Sequence, residues 1–377
     1  MPCCTRLLLW CGAEFARHDI IQRRRNKLDF GQPSRYFRDM NTARKPPTMT
    51  EVARLAGVSP MTVSRALKPG SLVNEQTRAR ILSAAEELGY VLDSTASSLR
   101  SQKTDFVAVT IPSINNANFA DTVGALNEGL KARGLQILLG YTNYDMQEEE
   151  RLIEQLLRRK PQAIVVTGGK HTPRTRRMLE NATVPVIETW DLPDTPINHV
   201  IGFSNAQAVQ AMVDHVVSKG LTRIAFIGGD TDRDTRGLDR RRGFVAAMER
   251  HGLDATRLVA AGPPPISMRE GADAMDHLLD TDPDTEAVIC VSDLSAFGAL
   301  SACQRRGTRV PEEISIAGFG NYEVGSICVP SITTIDPSPR KIGQQAAELL
   351  CEILDQGALF PVRREIIPQL VIRESTR

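Results

Sequence analysis

Apolar positions between residues 48 and 89 recur at the three-to-four-residue spacing of short helices, whereas from Asp105 onward they gather into short runs that read as buried strands. The first helix is expected at Thr48, because Thr48-Met49-Thr50-Glu51 has the form of a capping box: a threonine hydroxyl for a free helix N–H, and a glutamate that reaches back. Val52, Leu55 and Ala56 share one face, Gly57 permits a turn, and Ser59 caps a second helix with Pro60 in its first position. There Val63, Ala66 and Leu67 point inward, leaving Met61, Thr62, Ser64 and Arg65 outward. A third helix begins at the cap Asn74, turns Ile81, Leu82, Ala85 and Leu88 inward, and stops at Gly89. Two short helices around a glycine turn, backed by a third, make a helix-turn-helix unit.

The runs at 106–111, 135–141, 163–167, 184–188, 224–228, 288–291 and 314–317 are expected strands, with helical periods between them. Such alternation builds parallel sheets covered on both faces. There are more strands than one sheet comfortably takes, and Pro/Asp-rich crossings stand near 193–198 and 330–339. The prediction is therefore an α/β body of two similar subdomains with a cleft between them.

Charge sharpens this division. Residues 1–39 hold 8 Lys+Arg against 4 Asp+Glu, residues 40–103 hold 9 against 5, and the rest holds 29 against 36, giving +4, +4 and −7. A basic N-terminal part on an acidic body suits a chain that meets a polyanion at one end only. The seven cysteines have no metal-ligand or framework spacing and read as reduced thiols. No metal site and no cofactor is expected. No apolar run reaches the ~18 residues of a membrane span, and the expected location is the cytoplasm, at the bacterial nucleoid. Residues 1–45 form no amphipathic element. They read either as a basic arm around Arg23-Arg24-Arg25 or as an extension, disordered or absent from a natural product that starts at Met40.

The run from Thr48 to Ser59, followed by Thr62-Val63-Ser64-Arg65, resembles the signature of the lactose-repressor/galactose-repressor (LacI/GalR) family. The resemblance implies a DNA-binding headpiece at 46–92, a hinge helix at 93–103 and a periplasmic-binding-protein-like (type I) effector domain at 104–377. By position, Pro60, Met61 and Arg65 would face base edges, while Thr48, Ser59, Thr62, Ser64, Asn74, Thr77 and Tyr90 would hold phosphates. Arg65 can hydrogen-bond guanine in bidentate fashion, a contact worth ~1–3 kcal/mol of discrimination. Pro60 and Met61 offer only apolar contact. In the hinge, Ala96 would pack and Leu99 would wedge into a minor-groove step. Leu92-Asp93 departs from the family's usual Pro-Asn, and the Ser-rich hinge can also be read as a flexible linker.

Ligands of such sheets meet the loops at strand C-terminal ends, here 112–119, 168–174, 188–191, 230–242, 292–293 and 319–323. Candidate effector contacts are Ser113, Phe119, Lys170, Arg174, Glu188, Trp190, Asp191, Arg240, Ser292, Asp293 and Asn321. Arg240 matches the family's effector-binding arginine, and Ser292-Asp293 stands where the family has an Asn-Asp pair. Gly320 replaces the aspartate usual in sugar-binding members. With Lys170, Arg174 and Arg240 expected nearby, this points to an anionic ligand, and the loops at 171–175 and 188–191 resemble the gluconate-repressor branch. The expected partners are an operator in double-stranded DNA, a sugar-acid effector that releases it, and a second copy of the chain in a homodimer. A neutral sugar or another small metabolite stays open as the effector. An enzyme is disfavoured by six dispersed histidines and the lack of a nucleophile elbow, and a plain solute-binding protein by the headpiece.

Overall fold

The computed structural model describes residues 45–67, 72–91, 104–357 and 360–377. The chain divides into two compact units, Met1–Ser97 and Ser98–Arg377. The expectations for residues 1–44 and for the hinge, with Ala96 and Leu99, lie outside the described residues.

In the first unit, α1 (Met49–Ala56), α2 (Pro60–Ala66) and α3 (Glu75–Leu88) form the expected trio. Thr48 and Glu51 close a capping box, Ser59 and Asn74 cap the next two helices, and Gly57 and Gly89 end α1 and α3 in left-handed geometry. Val52, Val63 and Ile81 are fully buried among small alanines. Leu55 and Leu82 do not face inward as the period suggested; they are 48% and 46% exposed. Their neighbours Ala53 and Ala84 take the inner seats. The close helix approach admits methyl groups where a leucine would not fit.

The second unit has two lobes. In the first, β1 (Phe106–Ile111), β2 (Gln136–Tyr141), β3 (Ile164–Thr167), β4 (Val186–Thr189) and β5 (His199–Gly202) pair in parallel. With β11 (Arg363–Glu365) they form a sheet of order β11-β5-β4-β3-β1-β2, interleaved with α4 (Ala117–Lys131), α5 (Met146–Arg158) and α6 (Pro173–Glu180). The second lobe holds α7 (Asn205–Ser218), β6 (Ile224–Ile227), α8 (Thr235–Arg250), β7 (Leu258–Val259), α9 (Met268–Thr281), β8 (Ala287–Cys290), α10 (Asp293–Arg306), β9 (Ser315–Ala317) and the short α11 (Glu323–Ile327). Its parallel sheet runs β7-β6-β8-β9, and β10 (Thr334–Asp336) pairs antiparallel with β12 (Gln369–Val371) beside it. α12 (Pro339–Gln356) returns to the first lobe and packs on α4.

The chain therefore crosses between lobes three times, after β5, after β10 and between β11 and β12. The 193–198 segment is not a crossing but a loop inside the first sheet, because β5 follows it. This strand was not foreseen: it is four residues long and opens on a histidine, so it has neither a clear apolar run nor alternation. The late strands β10, β11 and β12 are three residues each and were equally illegible.

Candidate functional site

In the headpiece, α2 carries Pro60, Met61 and Arg65 on its exposed side, with Met61 64% exposed. The Ser59 hydroxyl accepts from Thr62 N at 3.2 Å and meets the Thr62 hydroxyl at 2.9 Å. Thr48 Oγ1 is engaged with Glu51 at 2.9 Å, and Asn74 Oδ1 accepts from Gln76 N at 2.9 Å. Ser64, Thr77 and Tyr90 are half-buried. Three helix N-termini thus display hydroxyl or amide caps, and the exposed Arg65 lies on the same helix as Pro60 and Met61. Exposed caps and a guanidinium are groups that can hydrogen-bond phosphates and base edges.

In the second unit, a cavity of about 220 Å³ lies between the lobes at the C-terminal ends of their strands. One side is aromatic. Phe119 meets Trp190 edge-on at 5.1 Å, Trp190 meets Phe203 at 6.0 Å, and Phe203 stacks on Phe319 at 6.1 Å, a ring series that passes from one lobe to the other through the first crossing. Arg240 lies on Phe319, 3.6 Å from the ring centroid. Its Nε donates to Asn205 Oδ1 and its Nη1 to the Val291 carbonyl, both at 2.9 Å. Desolvation pulls Arg240 down to about 10, so it remains a cation at neutral pH. Arg236, one turn earlier on α8, is 6% exposed, and its guanidinium reaches the Phe119 and Tyr144 rings of the first lobe at 5.6 and 6.0 Å. Asp234 caps α8 and also lines the cavity. Tyr322 donates across the cleft to Asn116 Oδ1 at 2.7 Å. Burial pushes the Tyr144 hydroxyl up to about 12 and Tyr322 higher still, so both stay neutral donors.

Comparison with known proteins decides the family. The model of bacterial regulatory proteins, lacI family, matches residues 48–93, and that of the periplasmic binding protein-like domain matches residues 213–376. The HTH-type transcriptional regulator GntR of Pseudomonas aeruginosa is 35% identical over 88% of this chain and 96% of its own length. The chain belongs to the LacI family. Among other LacI-family proteins, the HTH-type transcriptional regulator IdnR of Escherichia coli is 33% identical over 80% of this chain and 90% of its own length. A solved LacI-family regulator from Silicibacter pomeroyi superposes with a TM-score of 0.82 at 31% identity, covering 88% of this chain and 100% of its own. The helix-turn-helix and periplasmic-binding-protein-like architecture is that of the family, and its GntR-type members are among the relatives.

Of the residues picked from the sequence, the LacI-family cleft gathers Ser113, Phe119, Trp190, Arg240 and Ser292. It does not gather the others. Lys170 is bound by both oxygens of Asp239 at 3.0 Å, and Arg174 pairs with Glu150 and Glu154 on the outer surface. Glu188 is fully buried and accepts from Ile197 N at 2.6 Å. Asp191 takes the amides of Leu192 and Gly169, and burial pushes its carboxyl up. Asp293 takes Tyr322 N and the Thr334 hydroxyl at 2.8 and 2.6 Å; burial lifts it to about 6. Asn321 is spent on Asp336 and Arg373. None of these six lines the cavity.

The missing acid at position 320 also has a packing cause. Gly320 has φ +126°, and a Cβ there would stand 2.4 Å from the Tyr322 ring. The Tyr322 ring therefore excludes a side chain at this position. The positive lining comes from Arg240 and from Arg236, which no motif in the 230–242 segment singles out. Tyr144 follows β2 in a loop without an apolar or charged signature, and nothing local marks it. No group of three or more His, Cys, Asp or Glu among the described residues is arranged to hold a metal, and none of their helices is long and apolar enough to cross a membrane.

Behind the cavity, His171 is enclosed between two acids, with Nδ1 2.8 Å from Glu149 and Nε2 3.6 Å from Glu188. Burial disfavours the charged ring, but the bond to Glu149 and the charge of Glu188 outweigh it and hold His171 up at about 9, above its usual 6.5. A raised folded value stabilises the fold fully below pH 6.5 and loses that contribution as pH climbs to 9. Urea unfolding followed by Trp190 fluorescence should therefore show a loss on the order of 3 kcal/mol across this window. His171→Gln should flatten the slope.

Proposed function

We propose that this LacI-family protein is a transcriptional repressor that binds a palindromic operator as a homodimer and releases it when the interlobe cleft takes a small sugar acid. The observation that carries the ligand assignment is the charge of the cavity: Arg236 and Arg240 against Asp234, a net single positive charge among the hydroxyl and amide groups of Ser113, Asn116, Ser267 and Ser292. A volume of about 220 Å³ falls below the ~300–1,000 Å³ of sites for drug-sized ligands and suits one monosaccharide acid. Buried guanidinium groups favour a carboxylate, and the polar rim suits a chain of hydroxyls. In the headpiece, Pro60, Met61 and Arg65 read the bases, and Thr48, Ser59, Thr62, Ser64, Asn74, Thr77 and Tyr90 hold the backbone.

A gel-shift series with the DNA upstream of the protein's own gene, with and without aldonates, ketoaldonates and uronates, tests this reading. Sequence-preferring binding relieved by an acid is the expected result; binding indifferent to sequence would end the operator assignment. Arg65→Ala should weaken operator binding by about 30-fold or more and relax specificity at one base pair in each half-site, because the dimer loses one bidentate contact per protomer.

The homodimer is supported by exposed apolar side chains on both lobes: Ile327 and Val329 in the second, at 72% and 78% exposure, and Ile114, Leu139 and Tyr141 around the edge strand β2 in the first. Val329→Asp should shift the protein towards monomer in analytical ultracentrifugation. Two linked headpieces bind far more tightly than one, so operator affinity should fall by about 100-fold or more with it.

A further inference from the structure

We infer that Arg236 is the acid-selecting residue of the cleft and that its buried guanidinium makes closure of the two lobes contingent on an anion. This rests on the sugar-acid reading and goes beyond it, since it assigns the discrimination to one side chain and gives that side chain a part in the lobe motion.

Arg236 belongs to the second lobe by its helix, α8, and to the first by its contacts. Its guanidinium lies against the rings of Phe119 and Tyr144, and its Nη1 reaches the Thr167 carbonyl at 3.5 Å. Gly168 leaves room for it; a Cβ there would stand 2.9 Å from Nη1. A guanidinium has five N–H donors. Among the described residues, Arg236 has that one long hydrogen bond and no carboxylate within ion-pair distance. Asp191 feels its charge, yet gives its own oxygens to the amides of Leu192 and Gly169. Other arginines nearby are engaged: Arg240 with Asn205 and Val291, Arg241 with the Gly228 carbonyl, and Arg233 with the Asn143 carbonyl.

An unpaired cation is costly to bury and cheap to leave in water. With the lobes in the arrangement seen here, Arg236 is 6% exposed. Separating the lobes removes the first-lobe rings from one side of it and hydrates it. Without an anion the balance is thus tilted towards opening, and a carboxylate that enters the cleft satisfies the donors and tilts it back. The ligand's charge is read as differential affinity for the closed arrangement, which is what a conformational signal requires. A neutral polyol of the same length makes the hydroxyl contacts and leaves the cation unpaired.

The test uses the full-length protein, with calorimetric titration of gluconate and of glucitol, which differs in lacking the carboxylate. Wild type should prefer gluconate about 10- to 150-fold, the worth of a charge-assisted hydrogen bond. Arg236→Gln should bring the two ligands to within about threefold, and Arg236→Lys should keep part of the preference because the charge persists. A glutamine variant that retained the wild-type ratio would overturn the assignment, as would a variant that binds neither ligand without rescue by lysine. A separate arm needs no ligand: Arg236→Met should raise the ligand-free Tm by about 2–4 °C, because it removes an unpaired buried charge. An unchanged or lower Tm would overturn the closure argument. If wild type bound no sugar acid at all, the effector reading would fall, while a raised ligand-free Tm would still sustain an anion-requiring cleft.

Discussion

Arg240→Ala should yield a repressor that still holds its operator and no longer lets go. The guanidinium of Arg240 lies on Phe319 and is tied to Asn205 and Val291, so it forms part of the cavity wall as well as the proposed ligand contact. Asn205 in turn donates to the Trp190 carbonyl at 3.1 Å, which links α8 of the second lobe to the aromatic wall of the first through the residue that follows the first crossing. Truncation removes one charged donor from the ligand and leaves Asn205 Oδ1 without its partner. Charged hydrogen bonds are worth ~1.5–3 kcal/mol each, so the loss of one or two should lower effector affinity about 100-fold or more. The headpiece has no part in this and should bind DNA unchanged. Calorimetry with the acid that relieves the gel shift, together with the gel shift itself, checks both halves. A variant that bound the acid normally would remove Arg240 from the site. Arg236→Gln differs in kind, since it is expected to lose selectivity and keep affinity for hydroxyls.

Ile81→Ala should abolish DNA binding without touching the nucleic-acid surface. Eight of the described residues make up the buried headpiece core, five of them alanines, and Ile81 is the largest side chain among them. Small domains bury too little surface to tolerate cavities, and an isoleucine-to-alanine change costs ~2–5 kcal/mol. Such a loss approaches the whole stability of a unit of this size. The effector unit has a separate core and should keep its own melting transition. Calorimetry should therefore show the smaller transition lost and the larger one retained, with operator binding absent at any salt concentration. Undiminished operator binding would show that the headpiece has stability to spare.

The headpiece was legible because its signals are local. A threonine with a glutamate three residues on, a glycine at a turn, and serine before proline each set a backbone conformation within a few residues, and the helices stand where those signals put them. Even there, Leu55 and Leu82 were assigned to the wrong side. Periodicity places a residue on a broad face, and how closely two helices approach decides whether a leucine or its alanine neighbour fills the seat. The seven long apolar runs of the body likewise became strands. The short strands β5, β7, β10, β11 and β12 did not announce themselves, being two to four residues long and without a sustained apolar run.

The cleft shows the other side of this division. Composition and motif sufficed for a basic reader of nucleic acid on an acidic α/β sensor, and for Arg240 as a residue of the sensor. They could not say which charges are free. Lys170 and Arg174 looked as available as Arg236, and only the folded chain sets Asp239 against Lys170, Glu150 and Glu154 against Arg174, and two aromatic rings against Arg236. By itself the sequence determined the helix caps, the strand runs and the family, since these follow from neighbours along the chain. The tertiary structure decided which guanidinium remains unpaired in the cavity, because pairing depends on distances between residues that lie far apart in sequence and meet only when the lobes fold.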